Sequence, residues 1–256
     1  MAENFRMKTI IQNLAVEYDE HGAGTVLLML HGWKDTLHTF DALVPALSER
    51  HHVVRLDLPG FGGSDMPKMP WGLAEYVSFV KEFIQKRELN VDMLIGHSFG
   101  GRVVIKGVGS GILKPNRVVL ISAAGLANRR TARNYVLSML GKIGKFVTLV
   151  PPFSFWRSQL RRTLYRSIGS DYFAAGELKD TFVRVVGEDL ASYAQKISPP
   201  TLIIWGENDD VTPLDQAERT HALIRGSVLR TFKGAGHFVH REYPNEVASA
   251  IKEFLI

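Results

Sequence analysis

Gly96-His97-Ser98-Phe99-Gly100 decides how the rest of this 256-residue chain is read. Before it runs Val91-Asp92-Met93-Leu94-Ile95, a short apolar stretch that reads as a buried strand. After it, Gly100-Gly101-Arg102-Val103-Val104-Ile105-Lys106 continues as a helix. A serine on such a strand-to-helix turn projects its hydroxyl out of the backbone. Glycines two residues to either side let the chain turn that sharply without Cβ clashes. This is the pattern of a nucleophile elbow, and it suggests an enzyme that attacks acyl carbons. The pattern alone is weak. A chance G-x-S-x-G arises in a chain this long roughly one time in ten, and serine is a common helix N-cap for purely local reasons. The weight comes from what surrounds it.

Outward from the elbow, Thr25–Leu30, His52–Leu56, Arg117–Ile121, Thr201–Trp205 and Ser227–Phe232 read as further strands, and Ile10–Tyr18 as an N-terminal strand region. Helices are expected over 40–50, 73–87, 214–224 and 245–256. Apolar strands alternating with helices predict an α/β fold: a mostly parallel central sheet with helices on both faces. The alternation stops between 126 and 199. That stretch is helical in pattern, rich in aromatic residues and broken by Pro151-Pro152. It reads as an inserted helical lid, or cap, leaving 1–125 and 200–256 as the core.

Composition narrows the function classes. Apolar content of 45% is ordinary for a globular protein with a sizeable core. The chain has no cysteine, which excludes disulfides, thiol nucleophiles and Cys-ligated metals. Its N-terminus lacks the basic-then-apolar pattern of a secretion signal, and no apolar run approaches the ~18 residues of a membrane span. A cytoplasmic protein is expected. The net charge of +5 is uneven: eleven Lys and Arg face five Asp and Glu between 125 and 190. A basic segment of this kind attracts anionic lipids or substrates, but charge runs are more often solvated helix surface. Membrane-surface contact through the basic lid is therefore not favoured, and no nucleic-acid partner is expected.

A serine hydroxyl needs a base, and histidine is the usual one because its pKa lies near working pH. Among nine histidines, His237 is the candidate: it follows the last strand in the Gly-rich loop Gly234-Ala235-Gly236-His237-Phe238. Loops after strand C-termini are where open α/β sheets place their sites. The base in turn needs an acid to hold its tautomer. Asp209 and Asp210 both follow the strand ending at Trp205, and adjacent side chains are barely separable by sequence. Ser122-Ala123-Ala124 supplies no carboxylate after the neighbouring strand. Two backbone N–H groups must meet the oxyanion. One is expected from Phe99, at a helix N-terminus where the dipole favours negative charge. The other is expected from Trp33, in the loop after His31-Gly32.

With these residues in view, the chain resembles the α/β-hydrolase superfamily, in its compact lid-bearing branch. The resemblance covers nearly everything outside the lid. His31-Gly32-Trp33 resembles that branch's oxyanion loop, and Asp57-Leu58-Pro59-Gly60-Phe61-Gly62-Gly63-Ser64 its D-x-P-G-x-G-x-S loop. Gly96 to Gly101 resembles the elbow, and Gly236-His237-Phe238 the histidine loop. Gly206-Glu207-Asn208-Asp209, with Pro213 four residues beyond, resembles the acid loop, which favours Asp209 over Asp210. The order Ser98, Asp209, His237 is the one such a triad requires. Haloalkane dehalogenases and soluble epoxide hydrolases carry aspartate at the elbow, where this chain has Ser98. The H-G-G-G loop of many lipases is also absent.

The resemblance implies a serine hydrolase cleaving carboxylic esters through Ser98, His237 and Asp209, with no cofactor and no metal. A lactonase, C–C bond hydrolase or cofactor-free perhydrolase would use the same triad. A slow-turnover ligand-sensing relative would keep it. The partner expected is a small ester-like molecule with an apolar acyl or alkyl part, against a pocket to which Phe146, Phe153, Trp156 and Phe238 are assigned. Asp57 and Ser64 are expected to order their own loop through Asx-type and capping bonds. His31 is expected to brace the oxyanion loop, and Glu242 to support the entry to the last helix.

Overall fold

Near-continuous apolar runs along the central strands build the core. The computed structural model describes residues 7–126 and 176–255. Eight strands form one sheet: β1 (Met7–Ile11), β2 (Leu14–His21), β3 (Thr25–Leu30), β4 (His51–Leu56), β5 (Val91–His97), β6 (Arg117–Ile121), β7 (Thr201–Gly206) and β8 (Val228–Phe232). Their order is β1-β2-β4-β3-β5-β6-β7-β8. β2 runs antiparallel to both β1 and β4, and every pairing from β4 through β8 is parallel.

The helices are α1 (Val44–Ser48), α2 (Leu73–Lys86), α3 (Phe99–Gly109), α4 (Lys179–Gly187), α5 (Ala191–Ala194), α6 (Leu214–Leu223), α7 (Val239–Glu242) and α8 (Pro244–Leu255). They cover both faces of the sheet. Leu28, Leu30, Leu94, Leu120, Ile203 and Trp205 pack with residues of α2, α3 and α6 in one cluster. Leu27, Met29, Ile95, Val119 and Ile204 pack with α1, α7 and α8 in the other. Successive strand residues point to opposite faces, so a strand buried on both sides is apolar at most positions on both. Each such side chain stabilises by about 1.5–3 kcal/mol when fully buried.

Two segments differ from their sequence reading. The N-terminal region is a hairpin, not one strand: Gln12 and Asn13 turn the chain at φ 51° and 61°. Positive φ at both central residues is what a two-residue type I′ hairpin turn demands. The helix expected over 40–50 is a 3₁₀ turn over Leu37–Phe40 followed by α1, because Pro45 fits only the first turn of a helix. Between β6 and β7 the described residues form a 3₁₀ turn over Gly176–Leu178, then α4 and α5. Leu190 N–H closes this segment onto the core through the Gly125 carbonyl at 3.0 Å. No helix among the described residues is long and apolar enough to cross a membrane.

Candidate active site

β5 ends at His97 and α3 begins at Phe99, so Ser98 alone makes the turn. Its backbone sits at φ 49° and ψ −108°, a region that costs a non-glycine residue on the order of 1–3 kcal/mol. Both flanking glycines are required by close approach. A Cβ on Gly96 would stand 2.7 Å from the Gly100 backbone, and one on Gly100 2.1 Å from the Leu30 carbonyl oxygen. Ser98 N–H donates to Ile121 O and Gly100 N–H to His31 O, each at 3.0 Å. The elbow is thereby pinned to the ends of β6 and β3.

Three loops converge on Ser98. His237 Nε2 lies 3.0 Å from Ser98 Oγ, and His237 Nδ1 lies 2.8 Å from Asp209 Oδ2. An ionised carboxylate only accepts, so Nδ1 carries the proton and Nε2 is free to accept from the serine hydroxyl. Asp209 is buried, whereas Asp210 is exposed. Val211 and Thr212 N–H groups donate to Asp209 Oδ1 at 2.9 and 2.8 Å, and Thr212 Oγ1 donates to Oδ2 at 2.7 Å. Burial alone would raise the Asp209 carboxyl. The hydrogen bond and charge of His237, with the Thr212 donors, outweigh burial and hold it below its ordinary value.

Trp33 and Phe99 both border the cleft at Ser98. Phe99 N–H is the first of α3, with no carbonyl one turn earlier to accept it. Trp33 lies in a tight turn closed by Asp35 N–H to Gly32 O at 3.3 Å, with Lys34 left-handed at φ 55°. His31 braces this loop. Its Nδ1–H donates to Gly32 O at 2.7 Å, and its Nε2 accepts Leu58 N–H at 2.9 Å. Asp57 accepts from Leu37 N–H and Gly63 N–H, and Ser64 Oγ donates to the Asp57 carbonyl. Both side chains thus order their own loop.

Four supports were not legible in the sequence. Thr212 fixes the acid, as described. His97 Nε2 donates to the His237 carbonyl oxygen at 3.1 Å. Arg241 pairs with Asp35 at 2.9 and 3.0 Å, tying the histidine loop to the oxyanion loop. Glu242 Oε2 accepts Gly236 N–H at 2.8 Å, so it holds the histidine loop rather than the entry to α8. Of these, Thr212 alone left a local trace, as a hydroxyl three residues after an aspartate in a turn.

Among the described residues the cleft encloses about 290 Å³ beside Ser98, with Trp33, Phe99, Phe182 and Val185 among its apolar lining. Phe146, Phe153 and Trp156, assigned above to the pocket, lie outside the described residues. Phe238 does not line this cleft. It immediately precedes α7, and its ring packs on His97 and His237 beneath the Arg241 guanidinium. No group of three or more His, Asp or Glu suited to a metal ion occurs among the described residues.

Comparison with known proteins gives a consistent picture. The sequence profile described as "Alpha/beta hydrolase family" matches residues 27–250. An uncharacterized hydrolase, YugF, of Bacillus subtilis (strain 168) is 25% identical over 264 residues, covering 95% of this chain and 94% of that protein. Monoacylglycerol lipase abhd6-B of Xenopus laevis is 26% identical over 251 residues, covering 90% and 74%. Among solved structures, a hydrolase from Pseudomonas aeruginosa PA01 superposes with a TM-score of 0.75 at 25% identity, covering 100% of this chain and 99% of that one.

Proposed function

The chain belongs to the alpha/beta hydrolase family, and we propose that it is a serine hydrolase that cleaves carboxylic esters. The observation that carries this reading is the continuous relay from Asp209 Oδ2 through His237 to Ser98 Oγ, at 2.8 and 3.0 Å. His237 takes the hydroxyl proton as Ser98 attacks the ester carbonyl, then returns it to the leaving alcohol. Asp209 fixes the Nδ1–H tautomer and stabilises the imidazolium while it exists. The N–H groups of Phe99 and Trp33 hold the oxyanion, each worth about 10²–10³ in rate. Water, activated by the same histidine, then hydrolyses the acyl-enzyme and restores Ser98.

The substrate is a small ester with an apolar part, in keeping with the Trp33, Phe99, Phe182 and Val185 lining. Similarity to a monoacylglycerol lipase supports an ester over a C–C bond as the scissile group. The test is initial rates on p-nitrophenyl esters from acetate to laurate, with Ser98→Ala beside the native protein. Saturable turnover that disappears in Ser98→Ala is the expected result, and its chain-length optimum sizes the pocket. Turnover that persists in Ser98→Ala, or none on any ester, overturns the reading.

A further inference from the structure

Arg102 lies one helical turn beyond Ser98 on α3 and lines the same cleft. Only 6% of its surface is exposed. A guanidinium carries five N–H donors. In the described structure Arg102 makes one hydrogen bond, from Nη2 to the Glu188 main-chain carbonyl. Its Nε–H is buried without an acceptor. The Trp33 Nε1–H, on the same cleft, is also buried without one. Buried polar groups are nearly always paired, and leaving a buried donor unpaired is costly. Two such donors, both on residues that line the cleft at a nucleophile, call for an acceptor that arrives with the ligand.

The surrounding charges do not supply that acceptor. Glu188 and Asp189 also line the cleft. The Glu188 carboxylate is hydrogen-bonded by Lys106 Nζ, which also donates to Tyr193 Oη at 2.9 Å. Asp189 Oδ1 accepts Ala191 N–H at 3.2 Å. Burial pulls the Arg102 guanidinium down to about 10, outweighing the upward pull of both carboxylates. Its charge is therefore under-compensated where it stands.

His237 Nε2 lies 3.0 Å from Ser98 Oγ. The leaving alcohol must receive its proton from that nitrogen, so it sits at the His237 side of Ser98. Resting on the esterase reading above, we propose that the acid part of the substrate fills the cleft toward Arg102, and that Arg102 recognises a second oxygen in it, a keto or carboxylate oxygen that accepts from its guanidinium. The cleft is thereby selective for oxygen-bearing acyl chains over plain alkanoyl chains of equal length.

Three ethyl esters of similar length test this by acid release at constant pH: ethyl pentanoate, ethyl 4-oxopentanoate and monoethyl butanedioate. At least one oxygen-bearing ester should exceed ethyl pentanoate at least tenfold in kcat/KM, the size of one charge-assisted hydrogen bond. Selection of the oxo ester identifies a neutral carbonyl, and selection of the butanedioate a carboxylate. Arg102→Met should bring the ratio to about one. If Arg102→Met does not fold, Arg102→Lys decides: it keeps a donor for the Glu188 carbonyl but lacks the planar fork, and the ratio should fall at least threefold. An oxygen-blind native enzyme, or a ratio unchanged by the substitution, overturns the inference while Ser98-dependent turnover leaves the esterase reading standing. Should no ester turn over, that reading fails, and the subsite is read by binding. Free butanedioate or 4-oxopentanoate should then raise the Tm of the Ser98→Ala protein above the effect of pentanoate, and Arg102→Met should remove the difference. Equal shifts from all three acids overturn the inference.

Discussion

His97 Nε2–H donates to the main-chain carbonyl oxygen of His237 across 3.1 Å, so the residue before the nucleophile holds the loop that carries the base. The same ring reaches the oxyanion loop: a Cβ on Gly32 would come within 3.0 Å of His97 Nδ1. It also packs on His240, with ring centroids 4.4 Å apart. One buried imidazole therefore touches three of the segments that must keep register for attack on an acyl carbon.

Removing that ring should misplace the base more than it disturbs substrate binding. His97→Ala is expected to lower kcat about ten- to a hundredfold with KM little changed, since displacements of about 1 Å at a reacting centre cost rates of this order. His97→Asn keeps an amide N–H donor and should recover part of the loss. Steady-state kinetics on a p-nitrophenyl ester separates the terms. A rise in KM at constant kcat would place His97 in binding instead.

Asp209 and Asp210 are neighbours in sequence but not in environment. Asp209 is buried and accepts from His237, Val211 and Thr212, while Asp210 is exposed. Asp209→Asn should cost about 10³–10⁴ in kcat, because the amide cannot enforce the Nδ1–H tautomer. Asp210→Asn should leave kcat within about twofold. Comparable losses from both would mean that the acid loop rearranges on substrate binding.

Much of this architecture was legible because the information is local. Thr25–Leu30 and Arg117–Ile121 are strands over the very residues the sequence marks, since beyond their polar first residue both faces are apolar. Ser98, Asp209 and His237, which the structure brings within hydrogen-bond reach, each sit in a Gly-bearing loop after a strand, and that placement is local enough for a sequence to carry. The hairpin turn at Gln12-Asn13 was missed for want of glycine; asparagine tolerates positive φ without announcing it. The supports of the site were illegible for a different reason. His97 meets His237 across 140 positions, and Arg241 meets Asp35 across 206. No local pattern encodes such contacts. For Phe146, Phe153 and Trp156 the sequence offers only aromatic content, which does not say which way a side chain faces.

Strain at the elbow gives a stability prediction opposite in sign to the activity prediction. Ser98 is held at φ 49°, where glycine carries no Cβ penalty. Ser98→Gly should abolish ester hydrolysis and raise the free energy of unfolding by about 1 kcal/mol, near the lower end of such strain and partly offset by the greater chain entropy of glycine. Urea denaturation of the native and Ser98→Gly proteins measures the difference directly. A destabilised Ser98→Gly would mean that the serine hydroxyl contributes more to the fold than its backbone costs.

Buried neutral histidines set the acid limit of the fold. Burial, reinforced by the neighbouring imidazoles of His240 and His237, pushes His97 well below the ordinary histidine value. Burial, with the Arg241 charge and His237, brings His240 down to about 3. Burial likewise lowers His31, against the opposing bond to Gly32 and the charges of Asp57 and Asp35. In the unfolded chain each titrates near 6.5. Below that pH the unfolded state therefore binds protons that the folded state refuses, and stability falls as pH falls. Well below 6.5 the slope is about 1.4 kcal/mol per pH unit for each histidine that stays neutral. The Asp209 carboxyl, held below its ordinary value, contributes stability that persists until pH drops under about 4. Losses between pH 6.5 and 4.5 should thus belong to the histidines. His240 Nε2 lies 2.9 Å from Thr39 Oγ1, a contact a glutamine amide can replace. His240→Gln should flatten the pH dependence of the unfolding free energy in this window by about one proton. Denaturant titrations at pH 7.5, 6.0, 5.5 and 5.0 test it, and parallel curves for the two proteins would show that His240 takes up its proton without unfolding.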